Sequence, residues 1–347
     1  MPQSDAYNKT DRLHHVQLLF WNNPGRRLRT REVAEKLEVS EDTAYHYLTE
    51  LSSSGWLPLT KEGWYWQLAD GAKFELLPMK LNLAEGTALY LAARLLTQIH
   101  DERNTHILSA LTKLISAMPE TITSHLHASV DMARERQRGQ QDTSDIFEAL
   151  ALGWATRRKI RLQYAPPHRR TFECQFSPYL LEPSAIGRTF YAIGYSAPPG
   201  ALRTYKLERI ELAELTQEPF EVPTDFDGPA LLTRAWGVMY GDEEPVEVHL
   251  RFSSWVTKRV KETLWHPSQQ IIDTAEGCEW RAQIGDTLEI ENWLRGWGSD
   301  CEVLAPQDLR EKMVKEARRL AYMYGVTTKS SPPDEPDMGL LSRILGG

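Results

Sequence analysis

Residues 176–210, FSPYLLEPSAIGRTFYAIGYSAPPGALRTYKLERI, decide how the chain is read. They form two strands around a loop. In the first strand Thr189, Tyr191, Ile193 and Tyr195 share one face and Phe190, Ala192 and Gly194 the other, the period-two alternation of a pleated strand. The Ser-Ala-Pro-Pro-Gly run at 196–200 is a loop, because proline cannot donate to a ladder and glycine relaxes the backbone. The second strand is expected to place Arg203, Tyr205, Leu207 and Arg209 on one face. A straight strand would hold the Cα atoms of Arg203 and Arg209 roughly 20 Å apart, so a single phosphate could not touch both. Packing alone requires neither these arginines nor these tyrosines, which makes the hairpin a candidate binding surface.

At 347 residues the chain is long enough for two or three domains. A hydrophobic share of 41% beside 25% charged residues supports buried cores and excludes a disordered chain. No apolar run approaches membrane-spanning length and the first residues carry no signal-peptide hydrophobic region, so a cytoplasmic protein without membrane contact is expected. Cys174, Cys278 and Cys301 lie too far apart for a metal motif, and an odd number argues against a disulfide framework. His14-His15 and His125-x-His127 read as helix surface and loop, so neither metal nor cofactor is expected. The net charge of −8 looks wrong for a nucleic-acid binder, but it is localised. Ten acidic residues and one basic, Arg234, lie from Glu211 to Glu247, a balance of −9 that leaves the rest of the chain at +1.

Toward the N-terminus, residues 11–68 carry three helical patterns and a hairpin. The first helix uses Leu13, Val16, Leu19 and Phe20. Thr30 is read as the N-cap of a short second helix ending at Leu37. Ser40 caps a third, in which Ala44, Leu48 and Leu51 recur at i, i+4 and i+7. Two short helices joined by a tight turn make a helix-turn-helix, whose second helix enters the major groove of double-stranded DNA. Gly55 ends that helix, and 56–66 form a hairpin, a wing with Lys61 near its tip. Phosphate contacts are expected from Arg26, Arg27, Arg29, Arg31 and Lys61. The full set of candidate DNA contacts is Arg29, Thr30, Arg31, Ser40, Thr43, Tyr45, His46, Tyr47 and Lys61.

Residues 80–126 read as helical throughout, and the polar stretch 139–144 as a boundary. A further helix with Ile146, Leu150 and Trp154 precedes short strands. From Val246 a strand alternates Val246, Val248, Leu250 and Phe252 with Glu247, His249 and Arg251. A closing helix carries Leu309, Met313, Ala317, Leu320 and Tyr324. The Pro-rich end reads as a frayed tail.

These residues resemble the WYL-domain transcriptional regulators. The hallmark triplet stands here as Phe190-Tyr191-Ala192, after Gly187-Arg188 and the Pro178-Tyr179 pair and before an R-x-Y-x-L-x-R-I tail. The two departures, Trp to Phe and Leu to Ala, change bulk rather than polarity. The resemblance implies a small SH3/Sm-like β-barrel over about 145–215, preceded by a helix, that senses a nucleotide or nucleic-acid-derived anion. The matching positions are Tyr164, Tyr179, Arg188, Tyr191, Arg203, Tyr205 and Arg209, where tyrosines stack and arginines form charge-assisted hydrogen bonds. The arginine usual four residues before the Pro-Tyr pair is Cys174 here. The family's recognition helix usually carries arginines where this chain has Asp42 and His46. Asp42 favours the helix N-terminus but repels phosphate.

The resemblance also implies that 246–325 is a WCX-type α+β extension that crosses to the partner subunit of a homodimer. A two-fold operator would require such a dimer as well. The expected fold class is thus α+β multidomain. A winged helix-turn-helix (1–70) comes first, then a helical linker or dimerisation region (71–140) and a WYL sensing domain (141–222). An acidic linker (223–240), a WCX-like module (241–328) and a flexible tail (329–347) complete the chain.

The expected function is a ligand-responsive DNA-binding regulator with a nucleotide or oligonucleotide effector. An alternative is a nucleic-acid-processing enzyme or an accessory defence protein using the same pocket. Against an enzyme, the chain has no P-loop, HExxH, GxSxG or dense carboxylate cluster, and His266 stands beside no plausible nucleophile.

Overall fold

The structure is a computed structural model that describes residues 9–22, 25–69, 72–77, 79–100, 102–167, 169–184, 186–239 and 244–326. The expected tail at 329–347 lies outside the described residues.

The chain's described residues form a mixed α+β protein built around three antiparallel sheets and one helical bundle. The N-terminal module contains α1 (Lys9–Trp21), β1 (Leu28–Arg29), α2 (Thr30–Leu37), α3 (Glu41–Ser53), β2 (Leu59–Glu62) and β3 (Tyr65–Leu68), its strands ordered β1-β3-β2. Leu13, Val16, Phe20, Val33, Ala44, Leu48, Leu51 and Trp66 share one core. Helix α2 starts differently from expectation. Its N-cap is Arg29, whose backbone N–H donates to Glu32 Oε2 at 2.7 Å, while the Thr30 hydroxyl accepts from Trp66 Nε1 at 3.2 Å. Thr30 therefore ties helix to hairpin instead of capping.

The stretch read as continuously helical is three helices, α4 (Leu83–Ile99), α5 (Thr105–Ser116) and α6 (Glu120–Arg136). Asn104 breaks the run by accepting, through Oδ1, from the N–H groups of His106 and Ile107 at 3.0 and 3.4 Å. Pro119 stands just before α6. Their shared core is Tyr90, Ile107, Leu108, Leu111, Ile115, Val130 and Ala133.

Helix α7 (Ser144–Thr156) packs on a five-stranded sheet of β4 (Arg158–Tyr164), β5 (Phe172–Ser184), β6 (Thr189–Ala197), β7 (Ala201–Lys206) and β8 (Ile210–Pro219), ordered β7-β6-β5-β4-β8. Pairing among the described residues leaves β7 and β8 as edges, so the sheet is open where a closed barrel was expected. The register of β5 on β6 shifts between Pro178 and Leu180. Pro178 has no N–H to give, and the resulting bulge re-aims Tyr179.

The segment expected as an acidic linker is partly folded. Asp227 caps the short helix α8 (Gly228–Thr233), and Ala235 and Val238 are buried. The buried Glu289 carboxylate then accepts from the N–H groups of Gly237, Val238 and Met239 at 3.0, 2.9 and 2.9 Å. Glu289 belongs to the C-terminal module: β9 (Val246–Ser253), α9 (Thr257–Lys261), β10 (Gln270–Thr274), β11 (Gly277–Ile284), α10 (Leu288–Trp297), β12 (Cys301–Ala305) and α11 (Gln307–Met323). Its sheet is ordered β10-β11-β9-β12. The predicted alternation of β9 holds, with Val248, Leu250 and Phe252 fully buried. Of the closing helix only Leu309 is buried, so most of the apolar positions expected on α11 face outward.

Candidate nucleic-acid interface and ligand sites

Helix α3 begins at Ser40, whose hydroxyl accepts from the Thr43 N–H at 3.2 Å and lies 2.8 Å from the Thr43 hydroxyl. Both side chains are thereby committed to the helix start. The inner face is Ala44, Tyr47, Leu48 and Leu51. Tyr47, expected among the DNA contacts, is thus a core residue, because it shares the inner face with Ala44, Leu48 and Leu51. Tyr45 and His46 stand exposed on the outer face.

Lys61 Nζ sits 4.8 Å from the Tyr45 ring centre and 5.3 Å from that of Trp66, a cation–π contact that fastens the hairpin to α3. Arg29 covers the Tyr65 ring at 4.8 Å and donates to its hydroxyl at 2.6 Å. Arg26, Arg27 and Arg31 reach Glu32, Glu62 and Glu35 at 3.7, 3.1 and 3.0 Å. All three pairs are exposed and contribute little to stability, so phosphates can replace the glutamates at small cost. Trp64, 83% exposed beside Gly63 at the hairpin turn, was not singled out from sequence. The available signal was an aromatic residue directly after a turn glycine.

The seven ligand candidates of the five-stranded sheet do not converge. Tyr164 and Tyr205 are core residues, with ring centres 4.7 Å apart. The Tyr205 hydroxyl lies 2.7 Å from that of Ser196 and accepts from Cys174 Sγ at 3.6 Å; the Tyr164 hydroxyl accepts from the Lys206 N–H at 3.4 Å. Burial raises the pKa of both phenols. Cys174, at the position where an arginine was expected, is therefore a partner of the buried tyrosine. Arg203 lies on the same strand face as Tyr205, and the two line an open cleft of about 370 Å³ with Pro166, Arg169, Phe172 and Pro199. Phe172 and Arg169 are the cleft residues that strand periodicity could not supply.

Arg209 is elsewhere. Strand β7 ends at Lys206, and Leu207–Arg209 form a 3-10 turn, so Arg209 does not continue the face of Arg203. The expected straight-strand separation therefore does not apply. Arg209 bonds the Tyr164 side chain and neighbours Tyr191 and Glu208. Tyr191 is buried and Arg188 exposed, the latter in a left-handed conformation at φ 52°. Tyr179 packs on Phe220 and Phe226, with ring centres 5.8 and 5.0 Å away, and its carbonyl accepts from Trp154 Nε1 at 3.0 Å.

Glu102, from the loop between α4 and α5, meets this turn. Burial and a hydrogen bond with Glu208 push its carboxyl up to about 8. Burial also opposes ionisation of Glu208, but its bonds with Glu102 and Lys206 hold it below the ordinary value. The Glu102 carboxyl thus holds its proton where the helical bundle touches the sheet, near the ring contact of His100 and Phe190 at 4.1 Å. Between about pH 4.5 and 8 the folded chain keeps that proton while the unfolded chain has released it, so stability falls as pH rises through the window. Glu102→Gln is expected to flatten this slope and to raise stability at pH 8.5 by about 1–3 kcal/mol relative to the parent. Urea unfolding at pH 6 and 8.5 measures it; an unchanged slope would place the proton elsewhere.

In the C-terminal module the sequence reading of His266 needs correcting. Ser268 Oγ lies 2.9 Å from His266 Nδ1. That oxygen also accepts from the Gln283 N–H at 2.8 Å, and the Ser268 N–H donates back to the ring at 3.2 Å, so the pair closes a turn onto β11.

The WYL domain family matches residues 145–215, and the WCX domain family matches residues 244–321. Two solved structures align along most of the chain. Proteasome accessory factor B/C (PafBC) of Arthrobacter aurescens is 17% identical over 90% of this chain and 48% of its own, with a TM-score of 0.29. A CRISPR Cas-related protein is 10% identical over 94% of this chain and 88% of its own, with a TM-score of 0.40. Both superpose too loosely to bear on this chain's function. The chain spans about half the length of the PafBC chain. No curated protein matches it.

Proposed function

The chain belongs to the WYL-domain regulator family, with a WYL domain followed by a WCX domain, and from that premise we propose that it is a transcriptional regulator that binds operator DNA as a homodimer. Its N-terminal module acts as a winged helix-turn-helix, with α3 in the major groove and the β2–β3 hairpin as the wing. The observation that carries this reading is the outer face of α3, where Tyr45 and His46 stand exposed and Lys61 locks the hairpin alongside. The WYL sheet serves as a sensor built on an SH3/Sm-like plan, and the cleft at Arg203 takes a nucleotide or oligonucleotide effector. The role calls for no catalytic group and no cofactor, and it places the protein in the cytoplasm.

Tyr45→Ala with His46→Ala is expected to lower discrimination between operator and random DNA by about tenfold or more, since each lost base contact costs about 1–3 kcal/mol. Non-specific binding, and its dependence on salt, should persist because the arginines remain. Competition binding at two salt concentrations measures both quantities. Discrimination that survives the double change would mean that recognition does not run through α3.

A further inference from the structure

The β2–β3 hairpin ends in an aromatic side chain that the fold does not use. Glu62 pairs with Tyr65, so Gly63 and Trp64 are the whole turn. Gly63 takes a left-handed φ of 61° and Trp64 does not, the pattern of a two-residue type II′ turn, in which only the first position needs glycine. The turn thus carries the Trp64 indole at the extreme tip, 83% exposed. Its neighbours in the Trp-Tyr-Trp run are both occupied. Trp66 is buried in the module's core, and Tyr65 lies under Arg29. Cations flank the tip on both faces of the hairpin. Lys61, on one face, lies over the rings of Tyr45 and Trp66 and so fastens the hairpin beside the outer face of α3. The Glu62–Tyr65 pair shows the opposite face, where Arg27 reaches Glu62 at 3.1 Å and Arg29 covers Tyr65.

We propose that Trp64 is a wedge that enters the minor groove of bound DNA and partly unstacks one base step, so that the chain selects DNA for deformability as well as for major-groove base edges. The proposal rests on the operator-binding reading above and adds to α3 a second determinant of specificity. The minor groove adjoins the major groove across one phosphate backbone. With α3 in the major groove, a hairpin fastened beside that helix brings its tip to the minor groove. That groove is about 6 Å wide and walled by phosphates on both sides, which matches an indole with cations on either face of its turn. An indole left in water forgoes the burial of roughly 150–250 Å² that such a ring gains elsewhere, and a parted base step supplies the missing apolar surface. Unstacking is cheapest at the flexible pyrimidine–purine steps, TA and CA/TG. Apolar wedges of this kind kink the duplex by roughly 20–90° toward the major groove. The preference therefore falls on a step outside the bases that Tyr45 and His46 reach.

The test uses the full chain and a pool of DNA duplexes with a randomised centre. The parent is expected to enrich a major-groove motif and, at a fixed offset from it, a TA or CA/TG step. Trp64→Ala should keep the motif and lose the step. Its affinity for the parent's best duplex should fall by about tenfold, as for one mismatched position. The bend in that duplex, read by energy transfer between labelled DNA ends, should largely disappear. Trp64→Phe should restore the step preference in part, and both variants should melt like the parent because Trp64 is exposed. The proposal is overturned if Trp64→Ala selects the same step and bends DNA like the parent; the indole then serves another partner, such as a protein. It is equally overturned if the parent's flanks are A-tracts that Trp64→Ala leaves unchanged, since arginines reading a narrow groove account for those. In either case a surviving major-groove motif keeps the operator-binding reading intact. A parent that enriches no sequence at all sinks that reading, and the wedge with it.

Discussion

Gly194→Ala is expected to destabilise the five-stranded sheet strongly while leaving the N-terminal module folded. A Cβ on Gly194 would lie 2.0 Å from the Ser177 carbonyl oxygen and 2.9 Å from its carbon, where β6 pairs with β5 beside the bulge at Pro178. The obstacle is backbone, so no side chain can rotate away and the strands themselves must part. Overpacking usually costs about 1–3 kcal/mol, and a clash with backbone belongs at or above the upper end. For a unit of this size that corresponds to a melting transition lowered by roughly 10–20 °C. The buried residues of the N-terminal module form a separate core and should keep their own transition. Calorimetry alongside binding to non-specific DNA resolves the two units. A variant that melts like the parent would show that the strands do not approach this closely.

Arg203→Ala is expected to weaken an anionic effector by about ten- to a hundredfold, the loss of one charge-assisted hydrogen bond worth about 1.5–3 kcal/mol. Stability should change little, because Arg203 lines an open cleft and its guanidinium donates to the neighbouring Leu202 carbonyl at 2.9 Å. Arg209→Ala should behave in the opposite way. It removes a bond to the buried Tyr164 and a positive charge beside Glu208, so folding suffers before any effector is considered. Titration with short single-stranded oligonucleotides and with mono- and cyclic nucleotides, paired with urea unfolding, separates the two arginines. DNA affinity without effector should match the parent in Arg203→Ala. Only the response to effector changes, because a ligand shifts an equilibrium through its differential affinity for two states. Equal effector affinity in Arg203→Ala and parent would move the pocket out of the cleft.

Much of this architecture is legible along the chain because its causes are local. The alternation from Val246 to Phe252 demands a strand with one wet face, and Ser40 ahead of Ala44, Leu48 and Leu51 demands a capped amphipathic helix. The hallmark triplet with its flanking arginines and tyrosines identifies the WYL domain before any fold is seen. Other features depend on who stands opposite. Tyr47 stands three residues after Ala44 and four before Leu51, so the helical spacing already marks it as core and Tyr45 as outer; what the spacing does not show is that Lys61 of the hairpin covers the Tyr45 ring. The spacing of α4 contains both an inner and an outer apolar stripe, and periodicity alone cannot tell which of them packs into the bundle.

The sequence by itself determined the Ser40 cap of α3, the alternation of β9 and the WYL family of the five-stranded domain, since capping, propensity and alternation act within a few residues. Tertiary structure alone decided that β7 stops at Lys206 and turns, sending Arg209 to Tyr164 and leaving Arg203 in the cleft. It alone brought Glu102 to Glu208, more than a hundred residues away, where burial raises the Glu102 carboxyl while Glu208 stays low. The physical reason is that desolvation and charge pairing depend on distance in space, and contacts across that many residues leave no periodic mark in the chain.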